Sequence, residues 1–236
     1  MDVISESLSG KRIAITGSTG FLGTALVERL LRGVPDCELV LLVRPTRRNS
    51  AERRVEREIF RNDAFDTLRS QWGDDFVETC ERRVSIVSGD VTNDGLGLTE
   101  HDRALFTSCD VVIHSAATVS FDSPLDSSIE INLLGPNRII QLLKDANVTP
   151  HLVAVSTCYV AGNRRGAANE ELLAGTPFQV NVDWRAEVDA ARRTRADLDA
   201  RSRIPEQLDG FRKGAREELG AAGLPMLAAK TEQLRE

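Results

Sequence analysis

The eight residues Thr16-Gly17-Ser18-Thr19-Gly20-Phe21-Leu22-Gly23 leave this chain few folds to choose from. Before them, Arg12-Ile13-Ala14-Ile15 is an apolar run of strand length. After them, Leu22, Ala25, Leu26 and Leu30 recur at three- and four-residue steps, the period of a helix. Three glycines at a strand-to-helix turn are the setting in which a dinucleotide fingerprint has meaning. Gly17 permits the tight turn, Gly20 lets backbone approach a pyrophosphate, and Gly23 lets the helix lie close to its strand. The helix start then offers unpaired N–H groups and partial positive charge to an anion. The cofactor-binding stretch is therefore expected to run through Gly17, Ser18, Thr19, Gly20, Phe21, Leu22 and Gly23.

Alternation continues downstream. The first helix should stop near Gly33 and Pro35. Glu38-Leu39-Val40-Leu41-Leu42-Val43 is almost wholly aliphatic, as in a strand buried on both faces of a parallel sheet. It ends at Arg44, about twenty residues past the glycines. An acid at that place holds a ribose 2′-hydroxyl, whereas an arginine suits a 2′-phosphate. Arg44, with Arg47 and Arg48 close behind, favours NADP(H), the alternative being a solvated basic turn that opens the next helix. The Arg- and Glu-rich helix expected from Ala51 to Phe60 reads as a surface element. Residues 61 to 82 carry no clear period.

Val84 to Ser88 reads as a third strand, closed by Gly89-Asp90-Val91. The Asp90 carboxylate suits either an adenine amino group or a turn of its own. Asp110 to His114 reads as a fourth strand, followed by the small residues Ser115, Ala116 and Ala117, which leave room for a ligand against backbone. His114 taken alone reads as structural. Leu125 to Ala146 is helical, with a break or kink expected at Gly135-Pro136 because proline is costly inside a helix. His151 to Val155 is a fifth strand, ending in Ser156-Thr157. Strand and helix in turn imply a Rossmann-type, doubly wound parallel α/β sheet.

After Asn163 the character changes. From Asp183 to Leu219 charges dominate, with acid–base pairs at four-residue spacing such as Asp199 with Arg203 and Asp209 with Lys213. These predict long exposed helices broken near Pro205. The expected division is 1–163 as the nucleotide-binding part and 164–236 as a charged helical appendage.

Composition narrows the partners. Net charge is −6 over 236 residues, so nucleic acid is not expected. No stretch approaches the apolar length of a membrane span. The four cysteines and three histidines are too scattered for a metal site, and the cysteines read as reduced thiols of a cytoplasmic protein.

These motifs together resemble the NADPH-dependent fatty acyl-CoA reductases, the branch of the extended short-chain dehydrogenase/reductases that also holds thioester-reductase domains. The resemblance is carried by Gly10-Lys11, the T-G-x-x-G-x-x-G run, Val43-Arg44, Gly89-Asp90, His114-Ser115-Ala116-Ala117 with Phe121-Asp122, Asn132 with Gly135, and Ser156-Thr157-Cys158-Tyr159-Val160. It covers about residues 9 to 163. It implies pyrophosphate on Gly17, Gly20 and Gly23, 2′-phosphate on Arg44, and adenine at Asp90. It puts nicotinamide along Ala116 and Ala117, and makes Ser156 or Thr157 the hydroxyl that binds the carbonyl oxygen of a fatty acyl-CoA. It also implies a tyrosine with a lysine four residues on. The one tyrosine here, Tyr159, is followed at that distance by Asn163, and no lysine (Lys11, Lys144, Lys213, Lys230) has a tyrosine four before it. The expectation is an N-terminal portion of a longer reductase, with 164–236 as an insertion ahead of the catalytic helix, and no turnover by this chain alone. Competing expectations are a non-catalytic nucleotide-binding module and a fragment of a sugar-nucleotide epimerase or dehydratase, whose members more often carry an acid where Arg44 stands.

Overall fold

The computed structural model describes residues 3–120, 122–157, 160, 162, 166–219 and 226–235. The chain divides into two compact units, Met1–Asn169 and Glu170–Glu236.

In the first unit, five strands are found among the described residues. They are β1 (Arg12–Thr16), β2 (Glu38–Val43), β3 (Val84–Ser88), β4 (Val111–His114) and β5 (His151–Ala154). All pair in parallel, in the order β3-β2-β1-β4-β5. The chain runs outward from β1 to β2 and β3, then returns to the other flank of β1 with β4. That reversal opens a crevice at the carboxyl ends of β1 and β4.

Strand alternation builds the two core layers. Ile13, Ile15, Leu39, Leu41 and Val43 point to one face; Ala14, Val40, Leu42 and Val112 point to the other. On the first face lie α2 (Phe21–Gly33) through Val27, Leu30 and Leu31, and α3 (Ala51–Arg54) with its π-helical continuation Val55–Phe60. The second face is covered by α6 (Glu100–Thr107) through Phe106 and by α8 (Leu134–Asp145) through Ile139, Leu142 and Leu143.

Residues 61–82 turn out to be core. They form α4 (Asp66–Trp72) and most of α5 (Phe76–Arg83), and bury Phe65, Leu68, Phe76 and Cys80 on the first face. Phe60, Phe65 and Phe76 meet edge-to-face at centroid distances of 6.0 to 6.4 Å. Arg83, only 7% exposed, ties this region to the end of α2. It donates to the carbonyls of Leu31 (2.7 Å), Val34 (2.5 Å) and Cys37 (3.2 Å). Those carbonyls lie at and just past a helix C-terminus, where acceptors are left without helical donors. Ahead of β1, α1 (Val3–Leu8) leaves Val3 and Ile4 exposed.

The break expected at Gly135-Pro136 takes a specific form. The segment begins as α7 (Leu125–Ser128), widens into the π-helical stretch Ile129–Leu133, and tightens again as α8. Pro136 thus falls in the first turn of α8, where a missing N–H is tolerated.

In the second unit, α9 (Trp184–Ser202) and α10 (Pro205–Leu219) meet at the expected break, and α11 (Leu227–Arg235) packs on α10. Asp183 caps α9, accepting from the amides of Arg185 and Ala186. Asp199 pairs with Arg203 as the spacing predicts, but Asp209 turns to Arg212 rather than Lys213. Arg235 of α11 also reaches Asp199 at 2.5 Å. Among the described residues no helix is long and apolar enough to cross a membrane, and none of their side chains form a metal-binding cluster.

Candidate functional site

The glycine turn is held by contacts that only glycine allows. Gly17 has φ +73°, and a Cβ there would stand 2.6 Å from the Ala116 nitrogen and the Ser115 carbonyl carbon. The loop after β1 therefore lies peptide against peptide on the loop after β4. A Cβ on Gly23 would overlap the Gly17 carbonyl and come within 2.7 Å of the Ser18 Cα; one on Gly20 would come within 3.2 Å of the Gly17 carbonyl oxygen. Gly20 serves as the N-cap of α2 without any side-chain cap. The first turn of a thirteen-residue helix thus begins without a side-chain acceptor.

The ends of β1 and β4 are stitched together. The Thr16 hydroxyl lies 2.7 Å from His114 Nδ1 and accepts from the Ala116 amide at 3.3 Å. The Ser115 hydroxyl donates to the Thr16 carbonyl at 2.8 Å. His114 is 3% exposed, and burial pushes its pKa below the usual 6.5, so the ring stays neutral and structural.

Around this seam a cleft of about 230 Å³ opens at the carboxyl edge of the sheet. Gly17, Thr19 and Gly20 line it from the first loop, and Leu42, Val43 and Arg44 from the end of β2. Gly89, Asp90 and Val91 come from the end of β3, and Ser115, Ala116 and Ala117 from the end of β4. Of the expected residues, Gly23 packs behind the loop and Ser18 is buried. Phe21 is 99% exposed and Leu22 partly so; neither side chain lines the cleft. Ser156 and Thr157 stand exposed on the same sheet edge, one strand over, just past the bond from the Val155 amide to the His114 carbonyl. Phe121, Cys158, Tyr159 and Asn163 lie outside the described residues.

Asp90 takes the turn role, one of the two expected for it, and also faces Arg44. One carboxylate oxygen accepts from the Thr92 amide at 2.9 Å, closing a turn; the other faces Arg44 at 3.6 Å. Arg44 itself is mostly exposed.

Arg54 was not foreseen. It sits on the helix after β2, among arginines and glutamates that read as a solvated face. Its guanidinium is largely buried and lines the cleft. It donates to the Arg44 carbonyl (2.6 Å), the Thr19 hydroxyl (3.3 Å) and both oxygens of Glu58 (3.0 and 2.7 Å). The i,i+4 spacing to Glu58 was visible; the reach of thirty-five residues back to Thr19 was not. Asn132, on the π-helical stretch, clamps the loop after β4 by giving and taking one bond with the Thr118 backbone, each 2.9 Å.

The cradle fits a dinucleotide phosphate group. It offers backbone bared at Gly17 and Gly20, an uncapped helix start and two guanidinium groups. The Ser18 hydroxyl is also buried there without a partner among the described residues.

A parallel sheet ordered 3-2-1-4-5 with this cradle at its switch point defines a nucleotide-binding α/β domain of the Rossmann class. The chain belongs to the NAD-binding family described as male sterility protein, whose model matches residues 15–211. It is 34% identical over 174 residues to an alcohol-forming fatty acyl-CoA reductase of Simmondsia chinensis, covering 72% of this chain and 35% of that protein. It is 30% identical over 213 residues to the chloroplastic fatty acyl-CoA reductase 2 of Arabidopsis thaliana, covering 89% and 34%. Among solved structures it is similar to the terminal R domain from the myxalamid PKS-NRPS biosynthetic pathway. That match has 30% identity and a TM-score of 0.52, over 67% of this chain and 38% of that one. The chain spans about a third of the length of the curated relatives it matches.

Proposed function

We propose that this chain supplies the NADP(H)-binding part of an enzyme that reduces a fatty acyl-CoA thioester to an aldehyde or alcohol. The observation that carries the cofactor choice is the end of β2, where Arg44 lines the cleft and Arg54 stands behind it. The Arg44 guanidinium there matches a 2′-phosphate, while Arg54, paired with Glu58, holds the Arg44 carbonyl in place; charge-assisted bonds to phosphate are about twice as strong as neutral ones. Asp90 and Val91 would flank the adenine, the uncapped start of α2 would meet the pyrophosphate, and Ala116 and Ala117 would border the nicotinamide. The acyl-CoA substrate is supported by the fatty acyl-CoA reductases that the chain resembles.

When bound, NADPH would supply hydride for the carbonyl carbon of a thioester, with the proton that coenzyme A carries away as a thiol drawn from solvent. Ser156 or Thr157 donates a hydrogen bond to the carbonyl oxygen as charge gathers on it. Residues 164–236 act as an insertion ahead of the catalytic helix. No Tyr-x-x-x-Lys pair stands in this sequence, so this chain binds the cofactor and does not complete turnover. A cytoplasmic setting for the chain rests on Cys37, Cys80 and Cys109, three buried free thiols suited to a reducing compartment.

Titration of the purified chain with NADP⁺ and NAD⁺ tests the reading. NADP⁺ binds more tightly if Arg44 holds a phosphate; equal affinities remove its role. Acyl-CoA-dependent oxidation of NADPH by the same sample would overturn the assignment of this chain as a binding part alone.

A further inference from the structure

One side chain joins both walls of the cleft without touching its interior. Arg138, on α8, is 13% exposed at its side chain. Its guanidinium donates to the Val91 carbonyl (3.3 Å) and the Asp94 carboxylate (3.3 Å) on the loop after β3. It also donates to the Glu130 carbonyl (3.0 Å) and the Glu130 carboxylate (2.5 Å) on the π-helical stretch. Val91 and Ile131, the next residue after Glu130, both line the cleft.

The loop so held is strained. Leu96 is fully buried yet has φ +59°, and its carbonyl accepts from the Asp90 amide at 2.8 Å. A non-glycine residue keeps such a backbone only where its surroundings over-determine it. The helix is shaped to the same end: Gly135 faces Val91, so that even an added Cβ would reach it at 3.5 Å. Six residues before Arg138, the π-helical stretch presents Asn132 to the Thr118 backbone on the opposite side of the cleft. Single π turns inside α-helices are frequent at functional sites.

We infer that Arg138 is a positioning residue for the nucleotide. Its fork fixes Val91 against the π-helical stretch, and through that stretch couples the β3 side of the cleft to the Thr118 loop on its β4 side. This deepens the dinucleotide reading and rests on it. An ordinary ion pair would need only Glu130; the planar fork reaches two carbonyls as well, which a lysine ammonium cannot span.

The test is calorimetric titration of the full chain with adenosine 2′,5′-bisphosphate, well below every variant's melting temperature. Arg138→Met should weaken binding about tenfold, and Arg138→Lys should fall between it and the parent, because the ammonium cannot replace the fork. Should the Met variant not fold, Glu130→Gln/Arg138→Met removes the pair without leaving a carboxylate behind and is expected to behave alike. The decisive reading is the cycle with Asn132→Ala: acting through the stretch that Asn132 clamps to the Thr118 backbone, Arg138→Met should lose clearly less affinity in that background than in the parent. Additive losses in the cycle, or a folded Arg138→Met that binds like the parent, overturn the inference and leave the dinucleotide reading standing. A parent chain that binds no bisphosphate overturns both.

Discussion

Arg44→Ala separates cofactor selection from stability, because the same side chain matters greatly to one and little to the other. In the structure Arg44 is 61% exposed and meets Asp90 at 3.6 Å. Exposed pairs of this kind contribute about 0.2–1 kcal/mol, so the variant should melt within about 2–4 °C of the parent. A guanidinium on a phosphate is another matter. Hydrogen bonds to charged groups are worth about 1.5–3 kcal/mol, which converts to a loss of roughly 10- to 150-fold in NADP⁺ affinity. NAD⁺ lacks the 2′-phosphate, so its affinity should hold within about threefold. Calorimetric titration of both cofactors against parent and variant gives the four constants. The reasoning fails if Arg44→Ala weakens NADP⁺ and NAD⁺ by the same factor, which would mean the residue shapes the loop rather than reads the phosphate. It fails equally if NADP⁺ affinity does not move. Arg54→Ala is the instructive companion: that side chain also holds Thr19 and the Arg44 carbonyl, so it should lower affinity for both cofactors and the melting temperature together.

Other perturbations follow from the packing. Gly23→Ala drives a methyl group toward the Gly17 carbonyl and the Ser18 Cα; a cost of about 1–3 kcal/mol and loss of dinucleotide binding are expected, and a variant that titrates like the parent refutes the close approach. Arg83→Met takes a donor from three carbonyls around the end of α2, of which Val34 keeps the Cys37 amide, and should cost about 3 kcal/mol in urea unfolding, with binding retained below the transition. His114 is buried and neutral, with its pKa lowered by burial. The unfolded chain takes up that proton as pH drops below about 6.5, so the folded state should lose stability from there downward toward the lowered value. Melting curves from pH 8 to 5 check the slope, and His114→Asn should flatten it.

The strands and the glycine turn were legible because their signals are local. Leu39 to Val43 is aliphatic on both faces, and Gly17, Gly20 and Gly23 stand between a strand and a helical period. The break at Pro205 was local too. Residues 61–82 were opaque for a physical reason. Their apolar side chains, Phe65, Leu68, Phe76 and Cys80, sit on short helices separated by tight turns, so no single period runs through them. Arg54 and Arg138 were hidden differently. Each looks like one charge among many on a helix, and its partners lie tens of residues away, at Thr19 and at Val91 and Asp94. The role of Asp90 was left open because an aspartate after a strand serves turns and ligands alike; here it closes a turn and faces Arg44.

The seam between Gly17 and Ser115 has a consequence for anyone redesigning this protein. Two main chains meet there with nothing interposed, so no exchange of residue types can widen or narrow the gap. Only adding or deleting a residue in one of the two loops would do so, and the amides that greet the anion would travel with it. Tuning this corner for a different ligand therefore means rerouting the backbone, while the outer rim at Arg44 stays open to ordinary point changes.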